Sequence, residues 1–296
     1  MAILYGGAIW LLAGLAREQW WIQFGCFLLS AYLMVQLSNL NVLIRIYSRM
    51  ISVSFIFLSA AAVFLFPSIP GAVVQVCFIT ALMIFYNCYQ DQESPGWTFY
   101  TFLCLGAGSL AYIHLLYFVP IFWLMMATIV YSFCWRNFFA SLIGLLTPYW
   151  FWMGWTLWQE NGALNAITRH FLALAEFQSP DYASIPSQHI LILGLVTILG
   201  LTGMIHYLRT SSRDKIRTRQ LYYSFFVIGT SAFLFLVLQP QHEDMLLRIM
   251  MIITSPLIGH FLALTKTKIT NVAFITITVA VLLITAVNLW MSSSLF

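Results

Sequence analysis

The segment QPQHEDMLLRIMM places four chemically active side chains, His242, Glu243, Asp244 and Arg248, at the start of an apolar run. A helix beginning near Glu243 sets Asp244 and Arg248 one turn apart, on one face, where they can pair. Acids in a first turn also interact favourably with the helix dipole. Capping plus an interfacial ion pair therefore accounts for the cluster without any function. The functional reading is a proton relay, a cation site or an outward-facing general base. Ionisable groups at membrane depth are costly enough to raise that reading, although these lie at the edge of the run. One His beside two acids is not a metal motif, and neither a metal nor a cofactor is expected.

A second group, Glu160, Arg169, His170, Glu176 and Asp181, falls in the longest connection, residues 159–187. Several carboxylates on one loop could bind a polar headgroup or serve acid–base chemistry. A solvated amphipathic helix would carry the same residues. Ala163, Ile167, Phe171, Leu172 and Leu174 recur near helical spacing, with Asn165, Arg169 and His170 towards another side, so an interfacial helix over 163–176 is expected. Laid over the mouth holding Glu243 and Asp244, it could bring Arg169 to one of those acids. The third candidate is the run after Pro148: Tyr149, Trp150, Phe151, Trp152, Trp155 and Trp158. An interfacial aromatic belt explains it. Trp152, Trp155 and Trp158 could equally form a wall for a sugar or a lipid chain. His114, His206, His260, Gln36, Gln75 and Asn87 sit singly in apolar runs and read as interhelical hydrogen-bonding groups. His260 lies about 24 Å beyond Asp244 along an ideal helix, too far to share a site. No phosphate-cradling glycine loop, HExxH pair or GxSxG elbow occurs, so nothing supports ATP-driven transport by this chain alone.

The elements that position these groups follow from composition. Hydrophobic residues make up 61% of the 296-residue chain and charged residues 7%, against about a quarter charged in an average soluble domain. So few charges cannot cover a soluble surface, and lipid must solvate most of the molecule. One integral-membrane domain, 1–296, is expected. The first apolar run starts at Met1 without a basic leader, so no cleavable signal peptide is expected. Cys26, Cys77, Cys88, Cys104 and Cys134 all lie in apolar runs at no metal spacing and read as packing residues.

Backbone groups in hydrocarbon must be satisfied within each segment, which favours an all-α, polytopic helical bundle. About eleven spans are expected: 2–16, 19–38, 51–66, 70–90, 97–116, 118–134, 138–158, 188–208, 220–238, 246–265 and 268–291. The stretch 97–134 is divided near Tyr117–Pro120, because Pro120 disfavours helix at the residue before it. With the amino terminus inside, ten of the thirteen basic residues then fall in cytoplasmic connections, and only Arg17, Arg169 and Arg248 fall outside. That bias orients the amino terminus in and the carboxyl terminus out. The acids lean outward. The basic segment 209–219, RTSSRDKIRTR, reads as a cytoplasmic loop drawn to anionic headgroups, at about 1 kcal/mol per basic residue. Five charges in a short hairpin do not make a nucleic-acid site.

The segments NVLIRIYSR, SLIGLLTPYWFW and HEDMLLRIMMIITSPLIGHF resemble an uncharacterised family of small polytopic inner-membrane proteins of bacteria. The resemblance covers most of the chain and implies no agreed activity or catalytic residue. Three functions remain open. The first is binding, moving or modifying a lipid or lipid-linked sugar at the outer face. The second is secondary transport, which predicts broken helices in two repeats. Pro120 and Pro256 interrupt spans, but no repeat is evident. The third is a scaffold subunit whose partners are other membrane proteins. C-type glycosyltransferases share the plan of many spans with outer amphipathic helices, yet the first external loop here, around Arg17 and Glu18, is too short for their acidic pair.

Overall fold

The computed structural model describes residues 1–158, 163–175, 180, 182, 185–264 and 268–294. Among these the chain is all-helical, with no strand. Its α-helices in order are α1 (Ala2–Leu12), α2 (Trp21–Asn41), α3 (Met50–Ala61), α4 (Ile69–Phe85), α5 (Pro95–Ala111) and α6 (Val119–Thr128). They continue with α7 (Trp135–Trp158), α8 (Ala163–Ala175), α9 (Ser187–Thr210), α10 (Ile216–Leu238), α11 (Glu243–Leu264) and α12 (Lys268–Ser294).

Six segments are long and apolar enough to cross a membrane: Trp21–Asn41, Ile69–Cys88, Ser187–Arg213, Ile216–Leu238, Pro240–Leu264 and Thr270–Met291. The other described helices do not combine that length with that apolarity. Ala2–Leu12, Met50–Ala61 and Ile113–Thr128 are apolar but shorter. Every expected span holds an α-helix, and the expected amphipathic helix is present as α8. Several bounds differ: the helix of span 51–66 ends at Ala61 and that of span 118–134 at Thr128, and two further differences have a clear cause. Span 2–16 stops at Leu12, because Gly14 takes φ 103° and turns the chain. The break inside 97–134 falls at Tyr112, which is extended, and a 3-10 turn over Ile113–Phe118 leads into α6. Pro120 sits in the first turn of α6, where its missing N–H costs no hydrogen bond. It starts a helix here rather than ending one.

Capping chemistry sets the start of α4. Ser68 accepts from the Gly71 N–H at 3.2 Å, and Pro70 pre-sets the first turn. Lipid supplies little hydrophobic drive between helices, so close packing of small residues matters more. On α5, Gly106 approaches the backbone of α7 so closely that a Cβ would stand 2.6 Å from the Leu145 carbonyl oxygen. Gly144 of α7 meets the Phe99 carbonyl of α5 in the same way.

The centre of the bundle is α11. Every residue from Met245 to His260 is buried, and α3, α4, α9 and α10 pack around it. Long-range contacts define two sides. Arg217 reaches Asn41 and the Tyr86 carbonyl, and Asp214 reaches His260. The ends of α2, α4, α9 and α11 therefore meet on one side, here called the basic side. Arg248 meets the chain at Leu65, just before α4, and His189 at the start of α9 meets Glu243. These contacts define the opposite side, which also carries α8.

Candidate functional site

On the α8 side, a 3-10 turn at Pro240–His242 delivers the chain into α11, whose first turn carries Glu243 and Asp244. Arg248 Nε donates to Asp244 Oδ1 at 2.8 Å, the one-turn pair that the sequence spacing predicts. The guanidinium does more than pair. Nη1 donates to Gln75 Oε1 at 3.3 Å, and Nη2 donates to the Leu65 carbonyl. It also lies flat against Gly71, where a Cβ would stand 2.5 Å from Nε. The Arg248 side chain is 7% exposed, while Asp244 is 40% exposed. The cation is thus inside the bundle and its counter-ion at the rim.

Three histidines lie near the start of α11 as well. His189 Nδ1 donates to Glu243 Oε1 at 2.6 Å and stacks on Phe64 with ring centroids 3.7 Å apart. The Tyr112 phenol and His242 Nδ1 are 2.5 Å apart, and His114 lies over the His242 ring at 3.7 Å. A phenol titrates near 10 while an imidazole titrates near 6.5, so Tyr112 donates and His242 Nδ1 accepts at neutral pH. This fixes the proton of neutral His242 on Nε2. The Arg248–Asp244 ion pair, the His189–Glu243 hydrogen bond and the Tyr112, His242 and His114 rings form one polar rim around the start of α11.

The other sequence candidates assemble beside α8. Trp152 and Tyr149 of α7 contact His170 of α8 at ring separations of 5.2 and 6.0 Å, and Phe171 lies 5.1 Å from Tyr149. Tyr149, Trp152 and Phe171, but not His170, border an apolar groove of about 560 Å³ that Leu146, Trp150 and Phe151 also line. Tyr149 is held from behind by Ser109 at 2.7 Å, and Tyr117 pins α8 by donating to the Leu174 carbonyl. His170 Nε2 is buried without a hydrogen-bond partner among the described residues. Trp155 and Trp158 are exposed and do not line the groove, so of the three tryptophans expected as a wall only Trp152 borders it. Arg169 is exposed and has no ion pair with Asp244 or Glu243 among the described residues. The approach considered for it is not made. Glu160, Glu176 and Asp181 lie outside the described residues.

The basic side holds a cluster that sequence reasoning did not assemble. Asp214 folds back from the loop 209–219 to accept from His260 Nε2 at 3.1 Å, and Arg45 Nε stands 4.0 Å from its other oxygen. His206, Tyr207 and Tyr222 pack on His260, with centroids 5.9, 4.9 and 5.2 Å away. The signal was available: Asp214 is the one acid in RTSSRDKIRTR. His189 was missed entirely, and its only mark is a position just after Pro186, at the start of a helix. Among the described residues no three His, Cys, Asp or Glu side chains are grouped to hold a metal ion. All five cysteines are free. Compared with known proteins, the chain matches no family model, no curated protein and no solved structure.

Proposed function

We propose that this chain is a polytopic inner-membrane protein that binds an amphipathic lipid or lipid-linked sugar at its outer face, to move or modify it. The observation that carries this reading is the groove between α7 and α8. An apolar channel of about 560 Å³ lined by Trp150, Phe151 and Trp152 suits an acyl or prenyl chain. Behind two of its lining side chains, Tyr149 and Trp152, His170 keeps a buried ring nitrogen without a partner among the described residues, the kind of group that a lipid headgroup oxygen satisfies. In this reading α8 lies along the outer interface and eleven helices traverse the bilayer. Helices as short as α1 and α3 then call for local thinning. The bias of basic residues sets the side of Arg45, Asp214 and Lys268 in the cytoplasm, with the amino terminus inside and the carboxyl terminus outside.

Native mass spectrometry from vesicles containing phosphatidylethanolamine, phosphatidylglycerol and a polyprenyl phosphate tests the binding. Retention of one headgroup class over the others is expected. Trp152→Ala and His170→Ala should each weaken that retention by about tenfold, from the loss of stacking or one charge-assisted hydrogen bond. Equal retention of all three lipids, or indifference to both substitutions, rejects the reading. Single cysteines placed in 209–219 should stay unlabelled by an impermeant maleimide in intact cells, and labelling there reverses the orientation.

A second reading, secondary transport, is favoured by one observation: the buried Asp214–His260 pair beside His206. Ionisable groups deep in a bundle mark proton pathways. Proton uptake by sealed vesicles on addition of a substrate would favour it over lipid binding.

A further inference from the structure

We infer that a small cavity beside Arg248 is a binding site for a single monatomic anion of halide size. The cavity, of about 20 Å³, lies between α1, α2, α3, α4 and α11 and is lined by Trp10, Gln23, Ser59, Gln75 and Arg248 with apolar neighbours. That is room for one particle the size of a water molecule or a halide. It does not overlap the groove at α7 and α8, so it stands or falls apart from the lipid reading.

Two independent features point to an anion. First, donors in the lining lack partners. Trp10 is 3% exposed and Ser59 7% exposed, and neither Trp10 Nε1 nor Ser59 Oγ has a hydrogen-bond partner among the described residues. An indole N–H can only donate. Trp10 is also held in place, its ring stacked on Phe66 at 3.8 Å. Gln75 accepts from Arg248 through Oε1, which leaves its NH2 as the donor end. Gln23 donates to the Pro67 carbonyl at 3.2 Å.

Second, the counter-charge lies to one side of the buried cation. Arg248 rests against Gly71 in the first turn of α4, the positive end of that helix. A cation there is repelled by the helix dipole. The one carboxylate paired with it, Asp244, is 40% exposed against 7% for the Arg248 side chain. Water screens the acid while the cation and the helix end remain in the low-dielectric interior. An anion in the cavity would face the guanidinium, the indole N–H, the Ser59 hydroxyl and the Gln75 amide together. A water molecule would satisfy some of these donors but bring no negative charge to the buried side of the guanidinium.

The test uses the purified full chain in nanodiscs. Its thermal unfolding midpoint is followed by intrinsic fluorescence in sodium gluconate, with chloride or bromide substituted at constant ionic strength. Halide should raise the midpoint by about 3 °C or more and saturate, as a ligand of the native state does. Trp10→Phe, which keeps the ring and removes the donor, should weaken the apparent halide Kd at least tenfold. Ser59→Ala should weaken it about threefold to tenfold, each being the loss of one hydrogen bond to a charge. If Trp10→Phe fails to fold, Ser59→Ala carries the same comparison. A midpoint indifferent to halide overturns the proposal in favour of a water molecule. A halide effect unchanged in the variants overturns it in favour of binding elsewhere.

Discussion

The two ends of α11 each tie a basic side chain to a carboxylate, Arg248 to Asp244 and His260 to Asp214, about 18 Å apart between Arg248 and His260 along the helix. They are built on opposite plans. At the α8 side the buried member is a guanidinium whose three nitrogens bond Asp244, Gln75 and the Leu65 carbonyl. Its carboxylate partner stays wet. At the basic side both members are inside, with Asp214 4% and His260 1% exposed, while Arg45 stands off at 39%. Around them His206 Nδ1 and Nε2, His260 Nδ1 and Tyr207 Oη have no partner among the described residues. An arginine cannot discharge itself, so burying it requires bonds to its donors. A histidine can release its proton, so its burial tolerates open positions. The first end is a fixed fastening and the second can change charge.

The largest effect that tests this contrast is Arg248→Met. It leaves the Leu65 carbonyl and Gln75 Oε1 buried without a donor, and the expected cost is about 3 kcal/mol. Unfolding in a denaturing detergent measures it. A loss below about 1 kcal/mol would mean that the guanidinium is no fastening. At the other end, Asp214→Asn keeps the volume and one hydrogen-bonding oxygen, and about 1–2 kcal/mol is expected. A double-mutant cycle with His260→Gln should return a coupling near 1 kcal/mol, and additive costs would dissolve the pair.

Gly71→Ala comes next in size. Its new Cβ meets Arg248 Nε at 2.5 Å, and the guanidinium is pinned by its other bonds. The strain should cost about 1–2 kcal/mol. Gly7→Ala on α1 is the control, since nothing lies within 4 Å of its Cβ position. It should be neutral or stabilise by up to about 1 kcal/mol, the helix propensity gained. Equal effects at the two glycines would show that Arg248 has slack and that the contact at α4 is incidental.

What the sequence revealed of these ends follows the range of each interaction. The Asp244–Arg248 pair was legible because helix geometry alone sets residues four apart on one face. The amphipathic α8 was legible for the same reason, from Phe171, Leu172 and Leu174 against Arg169 and His170. Asp214–His260 spans 46 residues and Arg248–Gln75 spans 173, and no periodicity encodes either. Counting loop charges even hid Asp214, since a tally treats every residue of a basic loop as facing water. Pro120 misled because the same ring that breaks a helix interior suits a first turn. Which side faces the cytoplasm rests on charge bias, a property of insertion that helix packing does not record.

The smallest expected effect probes the rim of the fixed end. Glu243 accepts from His189 at 2.6 Å, but the two side chains are 21% and 18% exposed, near water and beside the phenol–imidazole stack. A pair placed there gains little Coulomb energy and loses side-chain entropy, so Glu243→Gln should cost only about 0.5 kcal/mol in detergent unfolding. The amide still accepts through its carbonyl oxygen, which limits the loss further. The value of the measurement lies in its ratio to Arg248→Met. A sixfold gap between two contacts in the first two turns of one helix would locate the fastening at the guanidinium. Comparable costs would spread it over the whole rim, and the contrast between the two ends of α11 would then lie in the number of bonds at each end rather than in the kind of basic group buried there.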